Sequence, residues 1–75
     1  MTIKNELERN VEYVVNVIER DGDEYGISRF DLIPRVRMEH SRDSPLRIPE
    51  AINAIREAEK RGLIRISDSR YIINK

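Results

Sequence analysis

Apolar side chains recur in the first quarter of the chain at Ile3, Leu7, Val11, Val14 and Ile18, with Val15 and Val17 beside them. Steps of three and four residues place them on one helical face, so the spacing predicts a helix over 2–20. Thr2 can cap its start, and Glu6 and Glu8 suit the positive end of the helix dipole. Four valines lower the intrinsic propensity, so packing must hold this helix. Asp21-Gly22 ends it, with Gly22 expected in the left-handed conformation. The run from Asp21 to Gly26 fits a calcium loop only in part. Tyr25 and Leu32 fall where oxygen ligands are required, which leaves an acidic turn.

A short strand is expected near 27–30, followed by a helix over 31–39 with Leu32, Ile33 and Val36 inward. Ser28 and Asp31 resemble a capping box, but a start at Asp31 puts Pro34 in the first turn, where no amide hydrogen is needed; Asp31 is the expected cap. His40 to Arg47 is polar and reads as loop. A third helix is expected over 49–61, with Ile48, Ala51, Ile52, Ile55 and Ala58 inward and Gly62 as the stop. Two isoleucine-rich runs over 63–74, split by Asp68 and Ser69, read as a hairpin. Ile64 and Ile66 share one parity and Tyr71 and Ile73 another, so its register stays open. The expected fold is α+β: three helices and a C-terminal two-stranded hairpin, in one domain over 1–75.

Composition narrows the function. At 75 residues the core is thin, with little room for a substrate cavity. Cysteine is absent, which excludes disulfides and thiolate metal sites. No phosphate-binding loop, dinucleotide motif, nucleophile elbow or zinc spacing occurs. The single histidine, His40, has no matched carboxylate spacing. We therefore expect no enzyme, no cofactor and no metal. No apolar run reaches the roughly 18 residues of a membrane span, and no signal-peptide block opens the chain, so a cytoplasmic protein without membrane contact is expected. The net charge is zero but unevenly placed. Residues 1–26 carry three basic and seven acidic side chains; residues 27–75 carry eleven and seven, and nine of the eleven are arginine. Arginine grips phosphate as a bidentate fork, so this half suits an anionic partner.

The stretch from Ile52 through Lys60-Arg61-Gly62-Leu63-Ile64 to Ile73 resembles the winged helix-turn-helix of bacterial and archaeal regulators. There the third helix ends in a basic residue followed by Gly-Leu-Ile and turns into the wing. Ile27 to Leu32 is similar to the family's short strand and second-helix start. The loop from His40 to Arg47 is longer than the family's usual three or four residues, and the wing tip is only Asp68 and Ser69. In this resemblance Leu63 seals the core beneath the helix end.

The resemblance implies a small DNA-binding regulator that uses its third helix and wing. About 100° per residue places Asn53, Arg56 and Lys60 on one outward stripe of that helix, where asparagine can read adenine and arginine guanine. Arg42 and Arg47 precede the helix and suit a backbone phosphate. Arg65 and Arg70, paired across the hairpin, would place two guanidinium groups at the wing. Arg35 and Arg37 are expected in solvent or beside Asp31 or Glu39, and Ser44-Pro45 is either a modification site or a turn. The first helix is apolar over a wide arc, so Tyr13, Val15 and Val17 are expected at a homodimer interface. The alternative function is protein–protein contact within a larger assembly, which Glu50 and Glu57 favour.

Overall fold

The computed structural model describes residues 5–74. Its elements are α1 (Glu6–Asp21), β1 (Ile27–Ser28), α2 (Arg29–His40), α3 (Ile48–Lys60), β2 (Ile64–Ser67) and β3 (Arg70–Ile73). The three helices pack on one another, and the antiparallel sheet, in the order β1-β3-β2, closes beneath them. This is the α+β arrangement of three helices and a C-terminal hairpin that the pattern predicts.

The start of α1 is set by Asn5, whose side-chain oxygen accepts from the Glu8 amide at 2.8 Å. Asn5 is the cap in place of Thr2, which lies outside the described residues, as does Ile3. At the other end Gly22 is extended (φ −79°) and not left-handed. Its amide donates to the Ile18 carbonyl at 2.9 Å, and a Cβ there would sit 2.7 Å from that oxygen. A glycine is needed for close approach, not for its sign of φ.

The second helix also starts earlier than expected. Ser28, not Asp31, is the N-cap: its hydroxyl accepts from the Asp31 amide at 3.3 Å and donates to the Asp31 carboxylate at 3.1 Å. Pro34 therefore lies inside the helix. It withholds one amide from the Phe30 carbonyl, but Phe30 is 89% exposed and water can reach that turn. The capping pair outweighs the single missing bond.

Three alanines and an isoleucine (Ala51, Ala54, Ile55, Ala58) form the buried face of α3. Ile48, expected inward, is 51% exposed, because the buried arc is centred a quarter turn away from it. The helix stops in two bonds: Gly62 donates to the Glu59 carbonyl and Leu63 to the Ala58 carbonyl, both at 3.0 Å, with Gly62 at φ +78°. That is the Schellman pattern the Gly62 stop anticipates. Leu63, however, does not seal the core. It is 42% exposed, and the next residue, Ile64, is the buried one.

The hairpin turns on Asp68 and Ser69, both at positive φ. This is the twist that a two-residue connection requires. The turn fixes the register: Ile64 faces Ile73 and Ile66 faces Tyr71. Both parities left open by the sequence thus share one face, on which Ile64 and Tyr71 are buried, Ile73 is partly buried and Ile66 is half exposed. Gly26 (φ +90°) lets the chain pass against β3; a Cβ there would overlap the Tyr71 carbonyl oxygen.

The core also takes Leu46, a lone apolar residue in the polar loop. From α1 it takes Val11, Val14, Val17 and Ile18, with Tyr13 and Val15 half-buried against them. The apolar arc of α1 is thus largely used within the domain. Val17 is fully inside, so it cannot serve the homodimer interface expected of Tyr13, Val15 and Val17. The arc is wide because α1 meets α2, α3 and β3 at once.

Candidate nucleic-acid interface

The charged side chains fall into two populations. Where α1 ends against α2, Arg20 binds Asp21 at 3.1 Å and Glu39 at 2.9 Å, and Arg35 approaches Asp21 at 3.4 Å. The hydrogen bond from Arg20, aided by the charges of Arg20 and Arg35 and opposed by partial burial, holds the Asp21 carboxyl below its ordinary 3.8. Asp21 and Glu39 in turn hold the Arg20 guanidinium more firmly in its charged form. Arg35 is thus paired with Asp21, not Asp31 or Glu39. Arg37 is neither in solvent nor beside a carboxylate: its Nε donates to the Leu46 carbonyl at 2.6 Å.

The other population is bare. Among the described residues, no ion pair or side-chain hydrogen bond engages Arg42, Arg47, Asn53, Arg56, Lys60, Arg65 or Arg70, and all seven are exposed. Those seven are the positions singled out from the sequence. They are not one cluster. Asn53, Arg56 and Lys60 share the outward stripe of α3 and line one groove, of about 510 Å³, with Glu6, Leu7, Asn10, Glu50 and Glu57. Arg47 is the N-cap residue of α3, with no side-chain capping bond. Arg42 lies apart, in a depression with Arg20, Asp21, Arg35, Met38 and Glu39.

Arg65 and Arg70 are not directly paired across the hairpin. Arg65 faces Ile72, while Arg70 faces Ser67 on one side and Ser28 of β1 on the other. Opposed residues share a face, so the two arginines sit diagonally on the outward face of the hairpin. Arg70 also lines a depression with Glu24, Tyr25 and Asp68. The 68% exposed Tyr25 is a neighbour of the wing that the sequence reading did not foresee.

The acidic residues on the flank of α3 are unequal. Glu57 is held by Arg61 at 2.7 Å, one turn on, and so is already neutralised. Glu50 has no ion pair among the described residues and lies beside the stripe. His40 stacks at a tilt on Tyr13, ring centroids 5.9 Å apart, an ordinary packing role. Among the described residues no helix is long and apolar enough to cross a membrane. Comparison with protein-family models, curated proteins and solved structures gave no match.

Proposed function

We propose that this protein is a small winged-helix module that binds double-stranded DNA. The supporting observation is where the unpaired cations fall: Arg20, Arg35 and Arg61 are paired with carboxylates, and of the bare ones Arg47, Arg56, Lys60, Arg65 and Arg70 lie on α3 and the hairpin, against Arg9 on α1 and Arg29 at the start of α2. A guanidinium with no internal partner keeps its full attraction for phosphate. Asn53 and Arg56, three residues apart on the exposed stripe, suit a purine pair in a major groove: asparagine to adenine, arginine to guanine. Phosphate contacts supply most of the affinity and Asn53 and Arg56 a modest share of sequence preference. In this reading the protein works as a cytoplasmic transcriptional regulator, not an enzyme.

The test is titration into random-sequence duplex DNA at about 50 and about 200 mM salt. With roughly four to six phosphate contacts, affinity falls about 10²- to 10³-fold between the two. Arg65→Ala/Arg70→Ala binds more weakly and with a shallower salt slope. Absence of binding at the lower salt overturns the reading.

One observation favours a second reading, a protein-docking module. Phe30 is 89% exposed at the start of α2, and Ile48, Met38 and Ile66 are each about half exposed. The groove beside the stripe also carries Glu6 and Glu50, which repel phosphate. A partner protein captured in a way that Phe30→Asp abolishes, with no DNA affinity at low salt, selects this alternative.

A further inference from the structure

Among the described residues, Arg37 is the one arginine that is turned onto a main-chain carbonyl instead of a carboxylate or solvent. Its Nε donates to the Leu46 carbonyl at 2.6 Å in a part-buried setting. The bond is returned by the backbone, since the Leu46 amide donates to the Arg37 carbonyl at 3.1 Å. The Leu46 side chain is itself in the core, 6% exposed. Leu46 is therefore fixed at its amide, its carbonyl and its side chain. The rest of the loop is tied only to itself: the Ser41 hydroxyl accepts from the amides of Asp43 and Ser44, each at 3.2 Å.

The next residue is Arg47. The peptide joining Leu46 to Arg47 is trans and planar, so its carbonyl and the Arg47 amide point in opposite directions. Holding that carbonyl fixes the plane and turns the Arg47 amide away from α2. On its other side Arg47 is held by its own carbonyl, which accepts from the Ala51 amide at 3.0 Å. Its backbone is thus fixed from both directions, and only the exposed guanidinium is left to move. A buried leucine and one amide bond anchor the loop, but neither sets the rotation of this peptide; the bond from Nε does.

We propose that Arg37 is a positioning residue that aims Arg47 at a DNA phosphate, an inference that rests on the DNA-binding reading. Arg37 acts through Leu46 and touches no nucleic acid. Its role needs a donor at the position of Nε and not a positive charge, which makes the test selective. Glutamine carries an amide nitrogen at that same distance along the side chain, whereas methionine matches the length with no donor.

The experiment measures the salt dependence of duplex DNA binding for the wild type, Arg37→Gln, Arg37→Met, Arg47→Ala and Arg37→Met/Arg47→Ala. One lost phosphate contact lowers the slope by about 0.9. The wild type and Arg37→Gln should share one slope. Arg37→Met and Arg47→Ala should each be lower by about 0.9, and the double variant should fall no further. Between about 50 and about 200 mM salt, each single loss makes the fall in affinity roughly three- to fourfold smaller.

A reduced slope for Arg37→Gln means that the charge itself meets DNA and overturns the proposal; this result does not depend on Arg37→Met folding. An unchanged slope for folded Arg37→Met, or a further loss in the double variant, overturns it as well. If the wild type shows no salt-dependent DNA binding, the DNA reading fails and this inference falls with it.

Discussion

The end of the molecule where α1 meets α2 and the surface made by α3 and the hairpin are both rich in arginine, yet they use it differently. At the first, Arg20 and Arg35 are closed onto Asp21 and Glu39 and form a network that binds the two helices. At the second, Arg56, Arg65 and Arg70 form no ion pair among the described residues. Net charge hides this difference, because the chain sums to zero. A neutral protein can still carry a phosphate-binding surface when its cations are unevenly placed: residues 27–75 hold eleven basic and seven acidic side chains. The exposed ion pairs at the first end each stabilise weakly.

Both regions pack on one core, and Gly26 is a point where the chain passes from one to the other. It carries the chain from the acidic turn after α1 into β1, against the Tyr71 carbonyl. Gly26→Ala should break that seam and destabilise the fold by about 2–3 kcal/mol or more, because it adds both a strained φ and a backbone overlap. Chemical denaturation measures this; a loss below about 0.5 kcal/mol, the range of ordinary surface changes, shows that β1 docks elsewhere.

A smaller effect separates the two ends by acid. The carboxyl of Asp21 is depressed below 3.8 by the Arg20 hydrogen bond. A depressed folded pKa means that the unfolded chain binds protons more readily. The resulting stability is complete above the ordinary value and disappears as pH falls through the lower, folded one. In the wild type the melting temperature should therefore drop more steeply below about pH 4 than in Arg20→Met, where Asp21 loses its main partner. Parallel acid curves for the two proteins contradict the pairing.

The smallest expected effect lies at the tip of the wing. Ser69 holds φ at 65°, in the left-handed region that favours glycine. Ser69→Gly should stabilise the hairpin by about 0.5–1 kcal/mol and leave the DNA salt slope unchanged, because no proposed contact is removed. A rise or loss in slope would mean that the tip itself meets the backbone of DNA.

Much of the fold is legible in the sequence because its signals are local. The apolar spacing of α1, the Gly62 stop and the two isoleucine runs each report a neighbourhood of a few residues. What was missed depends on packing and solvent access that spacing does not report. The choice between Ser28 and Asp31 as cap rests on how well an exposed turn tolerates Pro34. Leu46 is buried in the core and its carbonyl accepts from Arg37, nine residues away, neither of which a polar loop announces. The width of the α1 arc reads as a spare surface until α2, α3 and β3 are seen to cover it. Arg35 and Arg37 look equivalent on paper; only tertiary neighbours send one to Asp21 and the other to Leu46. The bare positions of the candidate site were legible because an outward helical stripe follows from spacing alone. Their division into separate groups, with Arg42 apart, was not.

The most direct test compares two triple variants with the same change in net charge. One is Arg47→Ala/Arg65→Ala/Arg70→Ala, from the bare surface; the other is Arg20→Ala/Arg35→Ala/Arg61→Ala, from the paired population. Each is titrated into random-sequence duplex DNA across a salt series. The account predicts that the first lowers the salt slope by about 2.7, three contacts at about 0.9 each, while the second stays within about 0.5 of the wild type. Equal losses in the two variants, or a larger loss in the second, would show that DNA does not distinguish bare arginines from paired ones and would contradict the account.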